Sequence, residues 1–593
     1  MLLLTPGLRL ILRLLSSLVI PAVCIYGAAQ LAERGFDYNV PSWALLSAWI
    51  AYPLLTNFLR SIITWVQEER DIRRLGAVRI PDLKGRLPGN LDVVPQLGTG
   101  DDISSIVDWI ETLQGKHGII FNTKLLGYNK IFTSDPNHIK SILATDFNVW
   151  EKGYQFREDM ASVLGSGVFN ADGDVWKFHR SMTRPFFARD RITDFEIFAR
   201  HADEAVAVIR ARQGNPIDFQ DVLQRFTLDS ATEFLLGKCV HSLHALLPAT
   251  YGKREMMSLT AEAFGPALNR VQERLSFRRR MAAMWPLFEV LADKTKKDMT
   301  MIGEFLSPII QAALDRKKSH EQAKGEGDVE GNSSNTYHVL LDQLLDVSDD
   351  PKLIADEVLN ILIAGRDTTS TTLTYLVYLL ALHPHVLTRL REEVLNRVGP
   401  SRYPDFEDMR EMKYMRAVIN ETMRLFPAVP ANIRSNIRAT TLPSTVPGGK
   451  PYYVPANSEV AYFVMTMQRS KDIWGPDADK VRHVTVSRFL DERLHKHVLS
   501  NPFNFVPFNA GPRICLGQQF AYNEMSFFLV RFLQVFDHME LAPDAQPAEA
   551  KPPASWASAG GRKAIEKLIP KSALTLYVKG GLWMRFGEAA PEA

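Results

Sequence analysis

The sequence predicts a mixed α/β fold, mainly α-helical, that is tethered to a membrane through its N-terminus. Three observations support this. Apolar residues recur at helical spacing over most of the chain, β-like runs are few and short, and two charge-free apolar runs stand near the N-terminus.

Leu14 to Ala32 and Tyr38 to Leu59 each approach the roughly 20 residues that a helix needs to cross a bilayer. Arg9 and Arg13 precede the first run, Arg60, Arg70, Arg73 and Arg74 follow the second, and only Glu33, Arg34 and Asp37 carry charge between them. Two crossings would put both basic flanks and everything downstream on the cytosolic side. One span with an interfacial helix, or a cleaved leader over the first run, are the alternatives, and Pro53 inside the second run leaves the number of spans open. Pro81, Gly85, Pro88 and Gly89 interrupt any helical pattern. Residues 81–89 therefore read as a hinge between a membrane anchor at 1–80, with one or two transmembrane helices, and a globular domain at 90–593.

Helical periodicity then covers Phe195 to Arg210, Met257 to Phe277, Lys297 to Arg316, Tyr337 to Leu345, Leu353 to Leu382, His385 to Val398 and Met412 to Leu425. Strands are expected at Gly118 to Phe121, Tyr452 to Val454, Glu459 to Val464 and Leu574 to Val578. Lys317 to Asn335 is too polar to order itself and reads as a surface loop; its sequon at Asn332 to Ser334 reads as chance. Asp544 to Ser558, rich in Pro and Ala, is a second loop.

Of 593 residues, 46% are apolar, enough for a large core. Lys and Arg total 69 against 67 acidic residues, so no field is available to attract a nucleic acid. The three cysteines, Cys24, Cys239 and Cys515, are far apart, which excludes a disulfide framework and suits a reducing, cytosol-facing domain. Cys24 and Cys239 lie in apolar stretches and read as packing residues.

Cys515 differs. It lies in FVPFNAGPRICLGQQFA, Phe505 to Ala521, a loop that delivers a thiol to the start of a helix. A thiolate there would accept N–H bonds from the first turn and sit at the favourable end of the helix dipole, both of which lower a cysteine pKa. Gly511 and Gly517 allow unusual dihedrals or a close backbone approach. A buried turn cysteine is the inert alternative, and a cysteine protease would require a histidine base that nothing nominates. Phe508, Gly511, Arg513, Cys515 and Gly517 match one for one the haem-binding loop of the cytochrome P450 family, and the segment resembles it closely. The resemblance implies that Cys515 is the proximal iron ligand of one haem b (iron protoporphyrin IX), with Phe508 against the macrocycle and Arg513 answering a propionate. Thiolate ligation favours O–O cleavage.

A second segment, AGRDTTSTT at Ala364 to Thr372, is unusual inside a helix because glycine and repeated threonine both disfavour one. A kinked core helix with threonines bonded back to the previous turn would account for it. The segment is also similar to the family's oxygen-activating helix. That resemblance assigns Ala364 and Gly365 to the space over the iron, and Asp367 and Thr368 to proton relay.

Glu421 and Arg424 stand at i and i+3 on one helix face, weak evidence alone. They resemble the family's ExxR pair, with Arg488 of VTVSRFL as third member, although Val486 and Ser487 replace the usual proline and glutamate. Trp176 and Arg180 match the WxxxR helix whose side chains meet a haem propionate, and Arg434 is a further propionate candidate.

The resemblance covers roughly residues 90 to 586 and implies a cytochrome P450 fold whose catalytic domain inserts one oxygen atom of O2 into a C–H bond. The 78 residues after Cys515 hold no GxGxxG, so NADPH is expected to act through a separate NADPH-cytochrome P450 reductase, with cytochrome b5 as an auxiliary partner. Arg488, Arg493, Lys496 and His497 are candidates for the docking patch. The expected location is the endoplasmic reticulum membrane, with the domain facing the cytosol. Trp150 to Phe156, Gly165 to Met182 and Met467 to Asp479 look like fungal P450s that hydroxylate n-alkanes and fatty acids, which makes a lipophilic chain the expected substrate. Sterols, terpenes or polycyclic aromatics, a reductase-independent peroxide isomerase and a membrane haem sensor or carrier are the alternative readings.

Overall fold

Asp350 accepts the N–H of Lys352 at 2.9 Å and Pro351 supplies the first turn, so the longest helix of the globular part starts at Pro351 and runs to Leu382. Nearly every residue from Val358 to Leu380 is buried. Helices Phe219–Leu236, Lys413–Leu425 and Gln518–Val535 pack against it, and together with Glu196–Arg210 and Leu259–Met281 they enclose the main hydrophobic core. The structure, a computed structural model, describes residues 4–37, 39–93, 103–125, 127–187, 195–248, 259–325, 339–478, 486–559 and 562–590.

The sheet is minor. Its largest part has five strands in the order Ile120–Asn122, Lys130–Thr133, Glu459–Tyr462, Asn432–Asn436 and Trp150–Glu151. Lys130–Thr133 and Glu459–Tyr462 are parallel and the other neighbours antiparallel. Smaller sheets join Val78–Arg79 to Tyr452–Val454, and Phe536–Leu541 to Trp583–Glu588. The expected helices are present, with the described ends shifted by a few residues or, at Lys296–Gly325, extended; the expected starts at Met257 and Tyr337 lie outside the described residues, and Tyr452–Val454 is a strand as expected. Lys130–Thr133 and Asn432–Asn436 escaped the sequence reading because four or five residues show little alternation and, unlike YYV at Tyr452–Val454, both carry polar residues.

Two N-terminal helices, Pro6–Phe36 and Ser42–Leu75, form a hairpin, with Trp49 Nε1 donating to the Leu18 carbonyl at 2.9 Å. Among the described residues only the first is long and apolar enough to cross a membrane, with a mean hydropathy of 2.0 and no buried part in that window. Both ends of the hairpin meet the globular domain. Thr5 Oγ1 donates to the Val290 carbonyl at 2.5 Å, and a methyl group on Gly7 would stand 2.5 Å from Val290 Cα. At the other end Glu68 and Arg79 pair at 2.6 Å.

The segment expected to be a stiff hinge is tied to the sheet: Val78 and Arg79 pair with Tyr452 and Tyr453, Leu83 N–H donates to the Asn122 carbonyl, and Asn90 reaches the Leu83 carbonyl. Proline and glycine shape this crossing without loosening it. One expectation differs: Lys317 to Gly325 prolongs the helix that begins at Lys296, because helix once nucleated propagates through polar residues. The rest of the expected polar loop, with the sequon, lies outside the described residues.

Candidate functional site

The segment before Cys515 folds back on itself: Cys515 N–H donates to the Phe508 carbonyl at 3.0 Å and Ile514 N–H to the Gly511 carbonyl at 3.0 Å. Gly511 has φ 67°, and a methyl group there would stand 2.8 Å from the carbonyl carbon of Leu143. A side chain is therefore refused on two grounds. Gly517 has an ordinary φ of −83°, and a methyl group there would make only ordinary contacts, 3.6 Å from Phe187 and 4.0 Å from Cys515 Sγ. A positive φ is thus found at Gly511 and not at Gly517. Phe508 packs on Tyr522 with ring centroids 5.2 Å apart.

Cys515 keeps accessible surface at the edge of this loop, yet the mass of protein around it pushes the thiol pKa up. The Gly517 N–H and the Arg180 charge pull the other way and do not prevail. The expected lowering by the helix start is thus overridden by desolvation in the thiol form.

Around this loop the chain gathers cations. Arg180 donates to the Ile514 carbonyl at 2.9 Å and lies 5.8 Å from the Trp176 ring centre, both on helix Gly173–Thr183. Arg513 lies 4.4 Å from the same ring, donates to Asp172 Oδ1 at 2.7 Å and, burial being opposed by nothing strong enough, has its pKa lowered to about 10. Arg434 is buried, with Nη1 donating to the Ile433 carbonyl at 2.7 Å; among the described residues no carboxylate pairs with it. Lys152 is a residue the sequence reading quoted without assigning. Burial, and then the charges of Arg434 and Arg513, hold its pKa well below the usual lysine value. Its signal was slight: a lone lysine in WEKGYQF, whose neighbours come from distant segments. A buried guanidinium without an anion and a lysine under cationic pressure fit the carboxylates of a bound haem.

On helix Pro351–Leu382, Ala364, Gly365 and Thr368 keep partial exposure while Arg366, Asp367 and Thr369 are buried. The accessible residues share one face, and Thr368 Oγ1 donates to the Ala364 carbonyl at 2.8 Å. Asp367 points elsewhere: it accepts Gln272 Nε2 at 2.6 Å and Arg366 Nη1 at 2.9 Å, beside a polar cavity of about 200 Å³. Burial raises its pKa against the pull of Arg366 and Gln272.

Glu421 accepts Arg424 Nε at 2.7 Å and Nη2 at 2.9 Å, and Arg488 Nη1 at 2.8 Å, all three residues being buried. Arg488 also pairs with Asp477 at 2.6 Å. The unusual Val486 and Ser487 lie in a short 3-10 turn that still turns Arg488 inward. The docking patch expected from Arg488, Arg493, Lys496 and His497 is corrected accordingly. Arg488 is consumed by Glu421 and Asp477, and His497 is buried with Nδ1 2.9 Å from the Ile473 carbonyl, which leaves Arg493 and Lys496 exposed.

Comparison with known proteins agrees with this architecture. The Cytochrome P450 family matches residues 89–558. Cytochrome P450 52-M1 of Starmerella bombicola is 37% identical over 427 residues, 70% of this chain and 76% of that protein. Cytochrome P450 52A1 of Candida tropicalis is 35% identical over 71% of this chain and 75% of its own length. Cytochrome P450 monooxygenase pvhE of Talaromyces variabilis is 31% identical over 81% of this chain and 88% of its own length. Among solved structures, the cytochrome P450DA heme domain superposes with a TM-score of 0.64 at 19% identity, covering 87% of this chain and 99% of that one. With the family matched over most of its length, this chain belongs to the cytochrome P450 family and is a P450 monooxygenase.

Proposed function

We propose that this chain holds one haem b with Cys515 as its proximal ligand and hydroxylates a long aliphatic substrate, a fatty acid or n-alkane, at or near the terminal carbon. Electrons come from NADPH through NADPH-cytochrome P450 reductase, with cytochrome b5 as an auxiliary partner. The observation that carries the haem site is the buried Arg434, which meets no carboxylate among the described residues and stands with Arg513 and Lys152 in one cationic cluster. Arg434, Arg513, Lys152 and Arg180 would hold the propionates, with Trp176 beneath Arg513 and Phe508 beside the ring. When bound, haem supplies the activation of O2.

The protein's own part is positional. Glu421, Arg424 and Arg488 brace the side on which Cys515 lies. Ala364 and Gly365 keep the helix face low, and the Thr368 hydroxyl offers a proton from that face. Asp367 serves the relay by turning its carboxyl from Gln272 and Arg366 toward Thr368, which takes protons from the polar cavity on its other side.

Membrane anchorage in the endoplasmic reticulum, with the domain on the cytosolic side, is supported by the exposed apolar hairpin and by its two ends meeting the same domain. Exposed Leu287, Phe288 and Leu291, next to the Thr5 contact at Val290, extend that apolar surface. The anchor sets the enzyme beside a lipid reservoir. Partly exposed Val429, Ala431 and Ile433, adjoining Arg434, suit an aliphatic chain, and each buried methylene contributes about 0.8 kcal/mol. The resemblance of Trp150 to Phe156, Gly165 to Met182 and Met467 to Asp479 to fungal P450s of alkanes and fatty acids points the same way.

The test is reconstitution with a P450 reductase and NADPH, offering fatty acids and alkanes beside sterols and aromatics, with the inserted oxygen located by mass spectrometry. Terminal or near-terminal alcohols, formed with affinity rising along the chain-length series, are expected. Turnover confined to ring compounds overturns the aliphatic assignment, and predominantly mid-chain products overturn the regiochemistry.

A further inference from the structure

Cys239, read from sequence as a packing residue, lies in polar company. The loop that follows helix Phe219–Leu236 carries Cys239, His241 and His244, and faces His201 on helix Glu196–Arg210. His201 is buried, with Nε2 at 2.8 Å from Glu233 Oε2 and 4.0 Å from Cys239 Sγ. The ligand atoms of His201, Glu233 and Cys239 all lie within 4.8 Å of one another.

We propose that His201 Nε2, the Glu233 carboxylate and Cys239 Sγ form a second metal site in this protein, separate from the haem-thiolate centre, that takes a divalent transition metal of zinc's chemistry.

The donor set is one nitrogen, one oxygen and one sulfur, a mixture that suits zinc and excludes the hard cations that want oxygen alone. The second layer is also built. His201 Nδ1 stands 2.9 Å from Glu204 Oε2, the carboxylate partner that commonly fixes a metal-bound imidazole, and Glu204 Oε1 stands 3.1 Å from His244 Nε2. His241 N–H donates to Cys239 Sγ at 3.2 Å, a bond that favours the thiolate.

Little movement is needed. Tetrahedral zinc with ligands at 2.0 to 2.3 Å sets its N, O and S donors roughly 3.3 to 3.6 Å apart. The His201–Glu233 pair must open from 2.8 Å and the His201–Cys239 pair close from 4.0 Å, each by about half an ångström, within reach of side-chain rotation. The fourth position falls to water. Side chains of Glu233 and Glu204 are each 18% exposed, which leaves an ion a way in.

An ion pair alone would account for His201 and the two glutamates; it gives no reason for a sulfur to face the same ring nitrogen.

The haem-loaded full chain, in a Cys24→Ser background so that Cys239 is the one thiol not engaged by iron, is washed with chelator and dialysed against zinc. Zinc per haem is counted by mass spectrometry, and the coordination shell is read by X-ray absorption at the zinc edge. One zinc per chain with one sulfur neighbour at about 2.3 Å is expected. Cys239→Ser should lose the sulfur shell, and Glu204→Gln should keep it while weakening binding by about 10- to 100-fold. Both should retain the thiolate signature of the ferrous CO complex, which reports that the fold is intact. No stoichiometric zinc, or zinc bound without sulfur, overturns the site. So does binding that Cys239→Ser leaves unchanged.

Discussion

Gly511 and Gly517 look alike in the sequence, two glycines flanking Cys515, but the structure gives them opposite sensitivities. Alanine at 511 would be held at φ 67°, which costs about 1–2 kcal/mol for a residue with a side chain. Its methyl group would overlap the Leu143 carbonyl oxygen and stand 2.8 Å from that carbonyl carbon and 3.3 Å from Ala144 Cα, where ordinary carbon contact is about 3.5 Å. The oxygen overlap sets the movement: the loop must retreat by more than about 1 Å from Leu143, at an overpacking cost of about 1–3 kcal/mol. The sum, roughly 2–5 kcal/mol, falls on the loop whose bonds from Cys515 to Phe508 and from Ile514 to Gly511 aim the thiol. Gly517→Ala meets only contacts of 3.6 Å and longer at a negative φ and should be tolerated. The assay compares both variants for the long-wavelength Soret band of the ferrous CO complex and its rate of thermal loss. Gly511→Ala should lose that band or shed it much faster than wild type, while Gly517→Ala should not. Equal behaviour of the two would refute the reasoning.

Glu421→Gln should cost about 3–5 kcal/mol, since Arg424 would lose its carboxylate partner and Arg488 would keep only Asp477, and a denaturant midpoint unchanged from wild type would count against the triad as a brace. Thr368→Ala should lower the product formed per NADPH and raise hydrogen peroxide, at a stability cost of only about 1 kcal/mol; unchanged coupling would remove Thr368 from the relay. Glu524, buried on the helix that follows Cys515, has its pKa pushed up to about 8 by desolvation, against Thr369, His201 and Ser230. An acid whose folded pKa is raised stays protonated while the unfolded chain has already ionised, so stability falls as pH rises from about 4.3 toward 8. Glu524→Gln should remove that decline and stabilise the fold by about 3 kcal/mol at pH 7, and a pH–stability profile identical to wild type would show the pKa to be ordinary.

The sequence by itself determined what depends on neighbours along the chain. Helical spacing marked Leu353 to Leu382, His385 to Val398 and Met412 to Leu425, which the structure forms as Pro351–Leu382, Pro384–Arg397 and Lys413–Leu425, because periodicity is a local property. The order of residues around Cys515 likewise carried the family resemblance, since one loop supplies Phe508, Gly511, Arg513 and the thiol together. What joins distant segments was decided only by tertiary structure. The departure at Val486 and Ser487 put Arg488 in doubt on paper, yet its pairing with Glu421 depends on where two helices bring their side chains. Asp367 and Thr368 are consecutive in sequence, but helical geometry turns one to Gln272 and Arg366 and the other to the accessible face. Lys152, Arg434 and Arg513 come from three separate segments, and the shifted pKa values of Lys152 and Arg513 arise only when burial sets these cations side by side. Cys239 is the same case: its apolar neighbours in sequence pointed to packing, while the chain's return placed it against His201 and Glu233. Local patterns are fixed by bonded neighbours and short-range sterics, whereas the charge, exposure and partners of a side chain are set by what the fold brings to it through space.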